Sequence, residues 1–505
     1  MILMILEKAL KISKNIFICF FILLNMSVFS QNRPLKSTSI KDSIQIKTEQ
    51  DLLKNTKEYI NKKEYKKAVF LLKKYYDNFS QSLSVNWIYA HALSLNNENK
   101  QAEQKFLKAI SISPLDKNLQ MDYARFLYQT GNIKNLESII ANFMDDNSKN
   151  VEFLLIQANL SFWKGDIKNA QNKIDRILEL YPNTEITKDL SDQIKELSAL
   201  YIKTNFEYQT DSQPLNFFAY HVVLAKYESV LLNPQLEISD YSFSPQTEGA
   251  LIVKLSNQFR FDRLKLTANL TGGLYKNSSG EDDWLAGISF VKKLSKKLSL
   301  NLGYSKNNLL STIASTTFNL TQQDLFGSID YHNKWIHFQG GYNHKFFKDD
   351  NTIKSIYSWI LSQPIKIQNF KFQFGYSYNY TDSKDVLFIF DNQGLGVYDP
   401  YFTPKEQKIH SGLFIINYNP SKRILLEAKV NYGFNATLRN PYPIQVTATE
   451  FEIGGFYDET FTPVELTGVI NYSFSKRFNA KVTYIDQETF FYRRKNINLG
   501  LNFIF

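Results

Sequence analysis

The sequence predicts an α+β multidomain chain: an N-terminal α-helical repeat solenoid followed by a C-terminal antiparallel transmembrane β-barrel of about sixteen strands. Three observations predict it. Residues 49–184 repeat with a period of 34, and an alternation of period two runs from about Asn205 to the last residue. The chain also carries 30 Tyr and 40 Phe although its mean hydropathy is −0.31. Many large rings on a chain that is polar on average imply alternation, as in barrels with lipid on one face and water on the other. At 505 residues, more than one domain is expected.

The first thirty residues read as a signal peptide. Lys8, Lys11 and Lys14 form a positive start, Ile16 to Leu24 is apolar, and Val28 and Ser30 are small residues where a signal peptidase reads. Gln31 is then the first mature residue. The apolar run is shorter than the ~20 residues that span a bilayer as a helix. The single cysteine, Cys19, sits in this run behind Ile18, where a lipoprotein site requires a small residue. A mature chain would carry neither thiol nor disulfide. Residues 31–48 read as a polar, flexible lead-in.

The 34-residue period is carried by Ala68, Ala102, Leu136 and Ala170. Four positions later come Leu72, Phe106, Ile140 and Ile174, and seven later Tyr75, Ala109, Phe143 and Ile177. Twelve positions earlier stand the small residues Thr56, Ala90, Ala124 and Ala158. Gly131 and Gly165 fall where two of the helical hairpins turn, and Pro114 and Pro182 close two of the second helices. Small residues let one helix approach the next, and the large ones fill the groove against the following unit, so the units stack. The pattern, including "KFLKAISISP" from Lys105 to Pro114, resembles the tetratricopeptide repeat. The resemblance covers about residues 49–184, with a capping helix over 185–203, and implies an arm (49–203) that binds a protein or peptide.

From 204 to 505 the chain reads as barrel. Phe370, Phe372, Phe374, Tyr376, Tyr378 and Tyr380 alternate with polar residues or Gly, as do Leu298–Tyr304, Leu426–Phe434 and Leu264–Leu270. Such runs exceed the five or six residues usual in soluble sheets and fit tilted membrane strands of roughly 9–11. An open edge cannot sit in lipid, so the sheet must close. Tight connections at 261–263, 295–297, 332–334, 419–423 and 475–477 alternate with longer links at 276–283, 308–322, 383–407 and 436–461, which gives about sixteen strands. Thr447 to Tyr457 reads either as a strand pair or as a folded loop. The last strand, Ile497 to Phe505, ends on Phe503 and Phe505 and resembles the C-terminal signal of outer-membrane barrels, which implies the barrel assembly machinery as a partner.

Charge and motifs exclude several functions. The net charge of +10 is spread along the chain with no basic stripe, so a nucleic-acid partner is not expected. None of the six His stands in a metal-ligand spacing, and no nucleophile, phosphate or dinucleotide fingerprint occurs, so neither enzyme nor cofactor is expected. Alternation puts Lys254, Arg260, Lys265, Lys371, Glu427, Lys429, Glu465 and Lys481 on the lumen side. Mixed charges among Asn, Ser and Thr suit a hydrated polar solute or polymer.

The joining of repeat arm to barrel resembles the outer-membrane exopolysaccharide-export porins, which pass cellulose, poly-N-acetylglucosamine or similar polymers. "VYDPYFTPKEQ" (Val397 to Gln407) is similar to the Y-x-x-P-type loop of that group. The resemblance implies polysaccharide export, an outer-membrane location and a periplasmic arm. The four units are fewer than the group usually has. The alternatives are a non-transporting surface anchor or adhesin, and, less favoured, an outer-membrane enzyme.

Overall fold

A computed structural model describes residues 46–505 apart from 144–148, 213–214, 245–247, 318 and 392. The expected leader and most of the lead-in lie outside the described residues. An N-terminal run of helices precedes a closed 16-strand antiparallel β-barrel, the α+β arrangement expected. The chain divides into two compact units, one ending at Gly131 and the other running from Asn132 to Phe505.

The first unit contains helices α1 (Glu49–Asn61), α2 (Tyr65–Tyr75), α3 (Leu83–Leu95), α4 (Asn99–Ile112) and α5 (Lys117–Thr130). The second begins with α6 (Ile133–Phe143), α7 (Val151–Trp163), α8 (Ile167–Leu180) and α9 (Lys188–Ser198). Ala68, Ala102, Leu136 and Ala170 are fully buried, and so are Thr56, Ala90, Ala124 and Ala158. Two further periodic signals accompany them. The helices α1, α3, α5 and α7 are capped by Thr48, Ser82, Asp116 and Asn150, 34 residues apart, whose side chains accept from the orphan N–H groups of the first turn. The hairpin turns pass through Lys63, Asn97, Gly131 and Gly165, again 34 apart, and all four have positive φ, between 59° and 74°. No described helix is long and apolar enough to cross a membrane.

The strands are β1 (Tyr201–Asp211), β2 (Asn216–Ala225), β3 (Pro234–Ser244), β4 (Gly249–Phe261), β5 (Leu266–Asn277), β6 (Asp282–Lys293) and β7 (Leu298–Asn308). After a short helix α10 (Ile313–Thr317) come β8 (Thr321–His332), β9 (Ile336–Phe347), β10 (Thr352–Ser362), β11 (Ile365–Ile367) and β12 (Phe370–Ser383). The remainder are β13 (Phe388–Phe390), β14 (Gly396–Tyr398), β15 (Lys405–Ser421), β16 (Ile424–Gln445), β17 (Phe451–Phe461), β18 (Val464–Ser473), β19 (Phe478–Glu488) and β20 (Arg493–Ile504). The ring follows chain order. It omits β11, which pairs only with the start of β12, the β13–β14 hairpin, and β17. It closes where β1 pairs antiparallel with β20, Tyr201 opposite Ile504 through Asp211 opposite Arg494.

The stretch that read as strand pair or loop is a hairpin standing on the ring. The first part of β16, Ile424–Tyr432, pairs with β18, and its far part, from Ala436, pairs with β17. The link at 276–283 shortens to four residues, 278–281, because β5 and β6 run past the points where alternation weakens. The first strand begins at Tyr201, three residues ahead of the expected boundary, and Phe505 N–H donates to Leu200 O across the seam.

The ring has two faces of opposite character. Lys203, Glu207, Lys481 and Asn498 line one cleft along β1, β19 and β20, so these residues face inward. The intervening positions, such as Phe206, Phe218, Leu302, Ile356, Phe434 and Ile470, are large, apolar and exposed. Among the described residues, a buried apolar cluster lies inside the ring at its end opposite the tight turns. There Phe217, Phe243, Ile252, Tyr275 and Leu285 cluster on the inner wall.

Candidate channel site

Register assigns a face to seven of the eight expected lumen residues. Lys254 lies opposite Glu237 and Gly273, on the face of the β1 cleft. Glu427 and Lys429 stand opposite Asn417 and Ile415 on β15 and opposite Val469 and Thr467 on β18. Glu465 accepts a hydrogen bond from Gln487 Nε2 at 3.1 Å. Lys481 shares its cleft with Lys203 and Arg494. Lys371, near the tight-turn end of β12, faces Asn417. Arg260, at the end of β4, is paired with Asp262 at 2.9 Å.

Lys265 departs from the expectation. It lies outside the strands, in the turn between β4 and β5, with φ of 50°. The apolar beat of Leu264 and Leu266 continues across a one-turn 3-10 helix, Asp262–Leu264, and so hides the reversal. The remaining charged groups are not gathered into a ring of one sign. Carboxylates and ammonium groups interleave along the wall, separated by amides and hydroxyls.

A polar network inside β1–β3 has no local sequence signature. His221 Nδ1 lies 2.8 Å from Ser239 Oγ, and His221 Nε2 lies 3.3 Å from Glu207 Oε2. Asn496 Nδ2 donates to Glu207 Oε1 at 2.6 Å. The residue types match a serine hydrolase triad, but Ser239 is 2% exposed and its Oγ also sits 3.4 Å from Glu237 Oε1. A nucleophile must reach its substrate, so this group knits the wall across the seam. Only the three-dimensional pairing of β20, β1, β2 and β3 brings these residues together.

The end opposite the tight turns is crossed by the connections themselves. Leu310 and Ile313, from the β7–β8 connection, pack onto the inner-wall cluster of β2–β6. Thr312 Oγ1 then donates to Pro400 O in the β12–β15 connection, residues 384–404. This connection is a folded strap. Leu387 N–H donates to Thr403 Oγ1 at 2.8 Å, and the β13–β14 hairpin closes Phe388 onto Tyr398. Tyr401 stacks on Phe347 with ring centroids 4.0 Å apart, and its hydroxyl donates to the Asp349 carboxylate at 2.8 Å. Burial first, and then this carboxylate, hold the Tyr401 phenol well above the usual tyrosine range; burial does the same to Tyr398. At the far side Phe402 packs on Phe491 of the β19–β20 connection at 4.2 Å. The strap therefore joins the β7–β8, β9–β10 and β19–β20 connections.

Beneath Phe402 lies a cavity of about 220 Å³. Its walls are inward residues of β12, β15, β16, β18 and β19, among them Asn379, Gln407, Asn431 and Glu465. Asn431 Oδ1 is shut off from solvent and accepts no hydrogen bond from the described chain.

No protein-family model matches the chain, and no curated protein matches it. Among solved structures, the barrel is similar to a bacterial polysaccharide outer membrane secretin at 9% identity and TM-score 0.47, covering 61% of this chain and 99% of that one. It is similar to OccK3 (OpdO) of Pseudomonas aeruginosa at 8% identity and TM-score 0.33, covering 63% and 99%. pilF of Pseudomonas aeruginosa is similar at 16% identity and TM-score 0.25, covering 28% and 66%. These are likenesses of outline and do not identify a cargo.

Proposed function

We propose that the chain is an outer-membrane protein whose barrel is an exit channel for a polysaccharide and whose helical repeats dock a periplasmic protein. The observation that carries this reading is the two-faced wall. A closed ring leaves no unpaired strand edge, so it tolerates lipid. Its outward Phe, Leu and Ile side chains would form an aggregation-prone surface in water and are at home among acyl chains. Sixteen strands enclose a lumen wider than side chains alone fill. The polar inner face keeps that lumen wet.

The tight turns gather at the same end as Tyr201 and Phe505. Short turns of outer-membrane barrels face the periplasm, which supports the reading that the helices work there and that the strap lies outside. The barrel assembly machinery would read the final strand, where Phe503 lies outward and stacks on Phe478 at 4.5 Å. No catalytic step is assigned to this chain. Removing residues 204–505 should abolish surface polymer in the producing cell; unchanged surface polymer would overturn the export reading.

One observation favours a second reading. The strap and its neighbours cross the outer mouth, as expected of a barrel that anchors the arm and passes nothing. Single-channel recording in a planar bilayer separates the two. A channel gives stable current steps that grow when residues 386–402 are removed, and an anchor gives none in either form.

A further inference from the structure

We infer that the cavity under Phe402 is a subsite for one uncharged hexopyranose ring of the exported polymer. This inference rests on the channel reading. Its volume, about 220 Å³, is smaller than the roughly 300–1,000 Å³ pockets of drug-sized ligands and suits a single ring. Its chemistry is divided. The rings of Phe402 and Phe491 are packed together on one side, offering an apolar platform for the C–H face of a pyranose. The amides of Asn379, Gln407 and Asn431 offer donors and acceptors to its hydroxyls.

Two features sharpen the ligand class. Asn431 Oδ1 is enclosed and has no donor within the described chain, and an enclosed acceptor left without a donor is costly. A rotation of the side chain would turn this oxygen into the cavity, where a sugar hydroxyl would satisfy it. The lining includes Glu465 and Glu488 and neither Lys nor Arg. A carboxylated or phosphorylated sugar would meet like charge in the lining itself, the inward cations Lys429 and Arg494 standing outside it, so the subsite discriminates against acidic polymers. Because Phe402 belongs to the strap, a ring entering the cavity must move the strap or thread beneath it, which places recognition at the outer exit.

Cellohexaose and hexagalacturonate are the probes, titrated calorimetrically into the full-length chain in detergent, with heat-modifiable gel mobility as the check on folding. Cellohexaose should bind at least about tenfold more tightly than hexagalacturonate. Asn431→Ala and Phe402→Ala should each weaken cellohexaose by about tenfold or more, whereas Leu395→Ala, at the exposed strap tip, should leave it unchanged. Equal binding of the two sugars, or folded Asn431→Ala binding like the parent, would overturn the subsite. Conductance recorded on the same preparation keeps the two readings apart. Current without cellohexaose binding overturns the subsite alone, and binding without current overturns its link to transport.

Discussion

The Tyr401 hydroxyl reaches both oxygens of Asp349, at 3.0 and 2.8 Å, across 52 residues of sequence. This contact ties the strap to the β9–β10 connection. A hydrogen bond to a charged acceptor contributes about 1.5–3 kcal/mol, and the exposure of Asp349 puts this one near the lower end. Tyr401→Phe should therefore loosen the strap by about 1–2 kcal/mol without unfolding the barrel. Limited proteolysis within 386–402 reads the effect, and an equal cleavage rate in parent and variant would contradict it.

The same phenol sets a pH dependence. Its pKa is raised on folding, so the protonated form is the one the fold favours. The contribution is complete below the unfolded value near 10 and is lost as pH rises through the folded value. The strap should keep its protease resistance from neutral pH to about pH 10 and lose it only in stronger alkali. Tyr401→Phe should remove that alkaline step.

Lys63 and Asn97 hold the left-handed turn conformation that Gly131 and Gly165 adopt at the equivalent positions. A side chain costs about 1–2 kcal/mol there, less for Asn. Lys63→Gly should raise the stability of the helical part by about 1 kcal/mol, and Asn97→Gly by less. Helical circular dichroism of the full chain during denaturation checks this, and a lower midpoint for Lys63→Gly would refute it.

Gly165 is constrained twice. It has a φ of 74°, and a Cβ there would overlap the Tyr227 hydroxyl and Val230 of the β2–β3 connection. Tyr227 also donates to Gly165 O at 3.2 Å and packs on the helical cluster of Ala158, Ile167 and Leu190. Gly165→Ala should cost more than Gly131→Ala, whose Cβ would meet open space. The difference should appear as faster amide exchange in α7–α9 with the barrel strands unchanged.

The interleaved charges of the inner wall predict weak ion selectivity. Once residues 386–402 are removed, cation and anion permeabilities should lie within a few-fold of each other. Strong preference for one sign would mean that Lys203, Lys481 and Arg494, or their carboxylate counterparts, dominate the narrowest section.

Much of the fold was legible because its forces are periodic. The buried small residues repeat every 34 positions, and the outward rings repeat every two. The caps Thr48, Ser82, Asp116 and Asn150 carry the same period, but small polar residues are common enough on a helical surface to blur that signal. What stayed hidden depends on contacts remote in sequence. Thr312 meets Pro400 across 88 residues, and Asn496 meets Glu207 across 289. No local pattern announces that a 21-residue connection folds across the mouth, because its buried Tyr398 and Tyr401 pack on other connections and not on a periodic face. Lys265 shows the opposite failure, a period that ran on through a turn.

The claim on which everything else depends is that acyl chains solvate the outer face and water the inner. Trp284 is 57% exposed on the outward face, whereas Trp359 faces inward, 4.7 Å from His337. In vesicles containing brominated phospholipid, a chain retaining Trp284 as its sole tryptophan should be strongly quenched, and one retaining Trp359 alone should be spared. Equal quenching of both, or failure of the chain to enter vesicles at all, would contradict the account.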